Sequence, residues 1–312
     1  MALYPTQKFQ DQDRTAKGEP RARVTFEGFK TLWFNTGTLC NITCVNCYIE
    51  SSPTNDRLVY LTPADVASYL DELATLKSQP IEIGFTGGEP FLNPDMIEIL
   101  HLTLERGHFV LLLTNAMKPM MRPRVQRGLT ELLALYREKL NFRVSLDHWS
   151  PVLHNQERGE GAFEETCLGI DWLAAQGAKL AIAGRNLWGE GQDESQAGFA
   201  ALIESHQWPI QLDQPFALVL FPELDAHADV PEITPNCWTI LGVDPSSLMC
   251  ASSRMVVKRK GAKNPIVLPC TLLPYEPAFE LGRTLTGSQG DTKLNHPHCA
   301  KFCVLGGGSC SA

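Results

Sequence analysis

The 312-residue chain has no apolar run near the ~20 residues that a bilayer span requires. Its start, MALYPTQKFQDQDRTAKGEPRAR, is polar and mixed in charge, without the apolar centre of a signal peptide. A cytoplasmic protein with no membrane partner is therefore the expectation. Positive charge is also short: the net charge is −8, which gives no general attraction to polyanions. A nucleic-acid partner is not expected.

Cysteine, in contrast, is plentiful. Ten cysteines in a reducing compartment are not expected to form a disulfide framework, and their distribution points to metal instead. Cys40, Cys44 and Cys47 share one short stretch, TGTLCNITCVNCYIESSP. Cys167 and Cys237 stand alone, and five more lie from Cys250 to Cys310. Two clusters at opposite ends imply two metal sites. Hydrophobic residues make up 44% of the chain, ample for one large core or a core plus a smaller domain.

Between the clusters the chain alternates strand and helix. TLWFNTG (residues 31–37) reads as a buried strand that runs straight into the cysteine loop. Thr62 as N-cap and Pro63 at the first helical position open a helix with Val66, Tyr69, Leu70, Leu73 and Leu76 at helical spacing. IEIGFTGGEP, HFVLLLTN, NFRVSLD, AKLAIAGRN and PFALVLFPE read as five further strands. Helices are expected after Asn93-Pro94 and near 124–138, 163–176 and 196–206. Such a rhythm gives an α/β fold with a parallel sheet, and six units give a partial (β/α)6 TIM-type barrel. Sites in these sheets form at the C-terminal strand ends, where the polar punctuation falls. After Asp225 the rhythm breaks. The expected division is a leader over 1–30, the barrel over 31–224 and a small cysteine-rich C-terminal domain over 225–312.

Three thiols are one short of a closed tetrahedral site. A structural zinc with a distant fourth ligand is one reading, although zinc ligands usually come as CxxC pairs. A cubane iron–sulfur cluster held through three irons is the other. It leaves an open iron for a chelating small molecule.

The loop Cys40-x3-Cys44-x2-Cys47-Tyr48 resembles the signature of the radical SAM superfamily. Gly87-Gly88-Glu89-Pro90, forty residues beyond Cys47, is similar to that superfamily's GGEP segment. The resemblance implies that S-adenosylmethionine chelates the open iron of a 4Fe–4S cluster. Reductive cleavage then gives a 5′-deoxyadenosyl radical that abstracts a substrate hydrogen. It also implies that GGEP holds the methionyl ammonium, its side-chain-free residues letting carbonyls approach closely. TNA at 114–116, VSLD at 144–147 and HNQERGEGAF at 154–163 resemble further segments of relatives. They make Asn115, Ser145, Arg158 and Asn186 the candidate cofactor contacts. An ordinary structural role is the alternative for Ser145, Arg158 and Asn186.

Cys250 and Cys270 flank MVVKRKGAKNPIVLP, which reads as a β-hairpin with one cysteine at each end. Followed by Cys299, Cys303 and Cys310, it resembles the SPASM and twitch extensions that bind auxiliary 4Fe–4S clusters. Five cysteines suit one auxiliary cluster. The ligands implied are Cys250, Cys270, Cys299 and Cys303, with Cys310 as spare or alternative, and zinc on the same residues as the competing reading. Two departures leave that set open: Gly261 lies nine residues before Cys270, and the terminal pair is spaced x3. Cys167 reads as a core residue, and Cys237 as packing or as a hydrogen-atom donor.

Together these features imply a radical SAM enzyme that oxidises, rearranges or crosslinks a small molecule or peptide, served by a flavodoxin- or ferredoxin-type reductant. The short leader favours a small molecule, a short peptide or a peptide recruited by another protein. The alternative is a non-catalytic electron-transfer or cluster-carrier protein.

Overall fold

Apolar stretches five to eight residues long alternate with amphipathic ones, and the elements follow that alternation. The computed structural model describes residues 8–76, 80–225 and 229–307. A short β1 (Arg23–Val24) precedes β2 (Thr31–Asn35), α1 (Pro63–Thr75), β3 (Glu82–Thr86) and α2 (Met96–Glu105). Then come β4 (Phe109–Thr114), α3 (Pro123–Tyr136), β5 (Leu140–Ser145), α4 (Pro151–Arg158) and α5 (Ala162–Ala175). β6 (Lys179–Asn186), α6 (Gln192–His206) and β7 (Leu218–Pro222) complete the repeat. Strands β2 to β7 pair in parallel and in chain order, the partial barrel that the sequence implies.

Local chemistry sets the boundaries. Asp65 N donates to Thr62 Oγ1 at 3.1 Å and Thr62 N donates back to Asp65 Oδ2 at 3.0 Å, a capping box that fixes the start of α1. On β2 the pleat sends Leu32 and Phe34 into the core beneath the helices, with Leu70, Leu73, Ile99 and Leu100. Trp33, between them, points into a second core with Leu111, Met255 and Leu268. Burying each of these side chains contributes about 1.5–3 kcal/mol.

That second core joins the C-terminal segment to the barrel. After α7 (Asn236–Leu241) and α8 (Met249–Ser252), β8 (Ser253–Val257) pairs in parallel with β2, Trp33 opposite Met255. β9 (Ile266–Leu268) pairs antiparallel with β8, closing the expected hairpin. The barrel sheet therefore runs on to eight strands, β7-β6-β5-β4-β3-β2-β8-β9. The start of the chain belongs here too: β1 pairs with β10 (Thr292–Lys293), and Ala22 N donates to Ile233 O at 2.8 Å. Leader and C-terminal segment thus form one unit that shares the barrel's sheet. The rhythm breaks near residue 225; the sheet does not. Among the described residues no helix is long and apolar enough to cross a membrane.

Candidate active site

The loop leaving β2 is held against the loop leaving β3 largely by backbone hydrogen bonds, with Thr36 Oγ1 donating to Thr86 O at 3.1 Å. Gly88 N donates to Gly37 O at 2.9 Å and Glu89 N to Leu39 O at 3.1 Å. A Cβ on Gly87 would lie 2.5 Å from Gly37 O, and one on Gly88 would lie 2.2 Å from Leu39 O. Nothing larger than glycine fits at either position. The approach these glycines permit is first of all to the backbone of the cysteine loop.

Cys40, Cys44 and Cys47 line one cavity at the C-terminal ends of the strands. Gly87, Gly88 and four other candidate contacts, Tyr48, Asn115, Ser145 and Arg158, line it as well. Glu89 and Pro90 stand behind the wall. The Glu89 carboxylate is buried and accepts Thr114 Oγ1 at 2.9 Å, Asn115 N at 2.9 Å and Phe91 N at 3.2 Å, tying β3 to β4. Burial pushes its carboxyl up to about 7 against those hydrogen bonds. Asn186 does not join the cavity. It is exposed and lines a separate depression with Asn46, Glu157 and Trp188. The neighbouring Arg185, on the opposite face of β6, lines the cavity in its place.

Burial pushes the Cys40 thiol up to about 12 and raises that of Cys44. Donors already face the sulfurs: Ser51 N lies 3.3 Å from Cys47 Sγ, and Asn115 Nδ2 lies 3.9 Å from Cys40 Sγ. Among the described residues no three His, Cys, Asp or Glu side chains converge closely enough to hold a single metal ion. Three sulfurs arranged around one cavity fit a multi-iron cluster, whose ligands bind different irons.

An ionic network that motif reading missed fastens the loop from outside. Asp147 accepts Arg158 Nε at 2.6 Å and Nη2 at 3.0 Å. Burial opposes the charge on Asp147, yet the guanidinium wins and holds its carboxyl below the ordinary carboxylate range. Glu157, next in sequence to Arg158, receives Asn46 N at 2.7 Å and Asn46 Nδ2 at 2.8 Å. Val45 N donates to Glu157 O at 2.9 Å and Arg185 Nη2 to Asn46 O at 3.2 Å. The segment between Cys44 and Cys47 is thereby fixed to α4 and β6.

Two residues close to late cysteines in sequence, Leu272 and Phe302, line this cavity. Cys250, just before β8, and Cys270, just after β9, reach the same end of the hairpin, as expected, and both are buried. Cys299 is buried near enough for the Cys270 and Cys250 sulfurs to act on its charge, and burial chiefly raises its thiol far above the ordinary range. Cys299 and Cys303 sit on a π-helical turn, Cys299–Val304, closed by Leu305 N donating to Ala300 O at 2.9 Å. Such turns recur at functional sites. Cys310 lies outside the described residues. Phe302, between Cys299 and Cys303, stacks on Phe221 with ring centroids 5.7 Å apart, and both rings line the cavity of the first three cysteines. Tyr275 Oη donates to Ile49 O at 2.8 Å, joining the C-terminal segment to the cysteine loop. Cys167 is buried in α5, and Cys237 Sγ accepts Thr234 N at 3.4 Å at the start of α7.

A family profile described as the Radical SAM superfamily matches residues 34–194, the segment that carries the loop, the glycines and the Asp147–Arg158 pair. AlbA, an antilisterial bacteriocin subtilosin biosynthesis protein of Bacillus subtilis (strain 168), is 32% identical over 154 residues, 48% of this chain and 32% of AlbA. An AdoMet-dependent heme synthase of Methanosarcina barkeri is 33% identical over 135 residues, 43% of this chain and 36% of the synthase. The matched region is about a third of the length of these relatives. Among solved structures, Streptococcus suis SuiB bound to S-adenosylmethionine superposes with a TM-score of 0.55 at 12% identity, over 83% of this chain and 63% of SuiB. anSMEcpe with bound AdoMet gives 0.59 at 14% identity, over 83% of this chain and 79% of anSMEcpe. At those identities the likeness is one of fold.

Proposed function

Because the chain belongs to the Radical SAM superfamily, we propose that Cys40, Cys44 and Cys47 hold a 4Fe–4S cluster that binds S-adenosylmethionine at its open iron. Bound there and given one electron by an external reductant, the pair would release methionine and supply a 5′-deoxyadenosyl radical to take a hydrogen atom from the substrate. One observation carries the reading. The three thiols, the GGEP glycines and Phe302, between two late cysteines, all line the same cavity.

The chain's own residues divide the work within that cavity. Gly87 and Gly88 bring the two strand-end loops together and leave backbone exposed to the ligand. Arg158 stands at the wall, already oriented by Asp147, as the cation for a cofactor carboxylate. Ser145 and Asn115 add neutral hydrogen-bonding groups. One part of the wall, Leu113, Phe221, Leu224, Leu272 and Phe302, is apolar and limits water beside a radical intermediate. It suits a substrate that presents an apolar side chain.

We take that substrate to be a peptide. AlbA is named for bacteriocin biosynthesis, and SuiB has been solved with its precursor peptide SuiA. A second cluster on Cys250, Cys270, Cys299 and Cys303, one aromatic ring from the cavity, suits a net oxidation of that peptide. A non-catalytic electron carrier would need neither the glycine-lined wall nor a cavity beside its thiols.

The test is anaerobic reconstitution followed by S-adenosylmethionine and dithionite, with 5′-deoxyadenosine measured. Wild type should form it, and alanine at Cys40, Cys44 or Cys47 should abolish it. Alanine at Cys270 should leave cleavage and stop substrate turnover. Protein with its full iron complement that forms no 5′-deoxyadenosine would overturn the proposal.

A further inference from the structure

Arg254 is the one fully buried cation of the C-terminal unit that lacks a carboxylate partner among the described residues. It sits on β8, four residues after Cys250, with 0% of its surface exposed. Its donors all go to neutral carbonyls. Nε donates to Ser288 O at 2.7 Å, Nη1 to Cys250 O at 2.7 Å and Ser253 O at 2.8 Å, and Nη2 to Gly290 O at 2.9 Å. Its guanidinium carbon lies 3.9 Å from the Phe26 ring centroid. Among the described residues no carboxylate comes within 4.0 Å of it, whereas the buried Arg21 has Glu232 at 2.6 Å. As a guanidinium, Arg254 stays charged at neutral pH.

A buried charge needs a counter-charge, because neutral dipoles offset only part of the lost hydration. Arg254 grips Cys250 through its carbonyl at 2.7 Å, and Cys270 reaches the same end of the β8–β9 hairpin. Cys299 is buried with both in one core. Thiol hydrogens there would leave the cation unbalanced; a thiolate-bound cluster would balance it.

We infer that Arg254 is the fixed counter-ion of the iron–sulfur cluster on Cys250, Cys270, Cys299 and Cys303, and that its charge raises the reduction potential of that cluster. The inference rests on the auxiliary cluster proposed above. A cation in a low-dielectric surround stabilises the more negative, reduced state, and net charge is one of the established controls of cluster potential. Arg254 acts on the cluster through space and through the Cys250 carbonyl it grips, as a positioning residue.

The experiment uses the full chain with Cys40, Cys44 and Cys47 changed to alanine, leaving only the auxiliary site to load. After anaerobic reconstitution, iron and sulfide are counted, and the cluster is titrated with redox mediators under electron paramagnetic resonance. About four irons per chain are expected. Arg254→Gln should lower the midpoint potential so that the reduced-to-oxidised ratio at a fixed poise falls at least tenfold, about 59 mV for a one-electron couple. Arg254→Lys should keep the potential near that of the arginine protein. An unmoved potential in an iron-loaded Arg254→Gln protein would overturn the inference. Loss of iron from both variants would also overturn it, by giving Arg254 a purely structural clamp role. Absence of iron from the Arg254-containing background would instead refute the auxiliary cluster itself.

Discussion

At the scale of single residues, Glu89 shows how a motif letter and its physical task can differ. The sequence marks it as part of GGEP, yet Glu89 does not line the cavity, and its carboxylate joins the ends of β3 and β4. Its carboxyl sits near 7 rather than 4.5 because of burial, and that makes a pH prediction. Between those two values the folded chain holds a proton that the unfolded chain has released. Stability must therefore fall as pH rises through this window, by up to about 3 kcal/mol. Glu89→Gln has nothing to titrate. It should cost about 1–3 kcal/mol at pH 5 through a spoiled acceptor, and should lose most of the decline in stability between pH 5 and 7. Urea unfolding of both proteins across that range is the check; equal slopes would show that Glu89 is not the group responsible. The cysteines and glycines could be read because their chemistry is carried by identity and spacing. The partners of Glu89 could not, since they come from Thr114 and Asn115 on the next strand.

At the scale of elements, the strands and long helices were legible because their apolar periodicity is strong. Thr62-Pro63 opens α1 where the sequence says, and the helix expected near 163–176 forms as Ala162–Ala175. Short polar elements were not legible. α4, PVLHNQER, is eight residues long and polar, with only His154 and Glu157 buried, so no apolar run announces it as it does the longer helices. Yet that helix delivers both Arg158 to the cavity and Glu157 to the cysteine loop. Asn186 lies outside the cavity for a related reason: a strand end alternates faces, and the residue lining it is Arg185. The Glu157 clamp can be tested by itself. Glu157→Gln weakens two hydrogen bonds to Asn46 and removes their charge, worth about 1–3 kcal/mol together. The expected result is several-fold faster loss of iron from the first cluster to a chelator, with the secondary structure intact by circular dichroism. Iron loss at the wild-type rate would mean that the loop is held without Glu157.

At the scale of the whole molecule, chain order misleads about what belongs together. The polar opening reads as a leader because nothing local reveals its partners, which lie more than two hundred residues away. Glu232 gathers Phe9 N at 2.7 Å, Ala16 N at 2.6 Å and Arg21 Nη2 at 2.6 Å, and Arg21 is buried completely. Burial works against the charge on Glu232, but these donors prevail and its carboxyl lies below the ordinary value. Its stabilisation is thus present above the unfolded carboxyl's pKa and is lost as pH falls through the lowered one. The opening segment is therefore a strap across the unit that carries the late cysteines. Removing one end should loosen that unit before the barrel. Arg21→Ala strands a buried carboxylate and should cost about 3–5 kcal/mol. Hydrogen exchange should quicken in residues 229–307 while β3 to β6, with their own core of Ile83, Leu112, Phe142 and Ile182, stay protected. Arg21→Ala with Glu232→Leu, which leaves no lone buried charge, should recover part of the loss. Exchange that rises equally across the barrel would show strap and sheet to be one cooperative unit, and would count against a separately loosened C-terminal half.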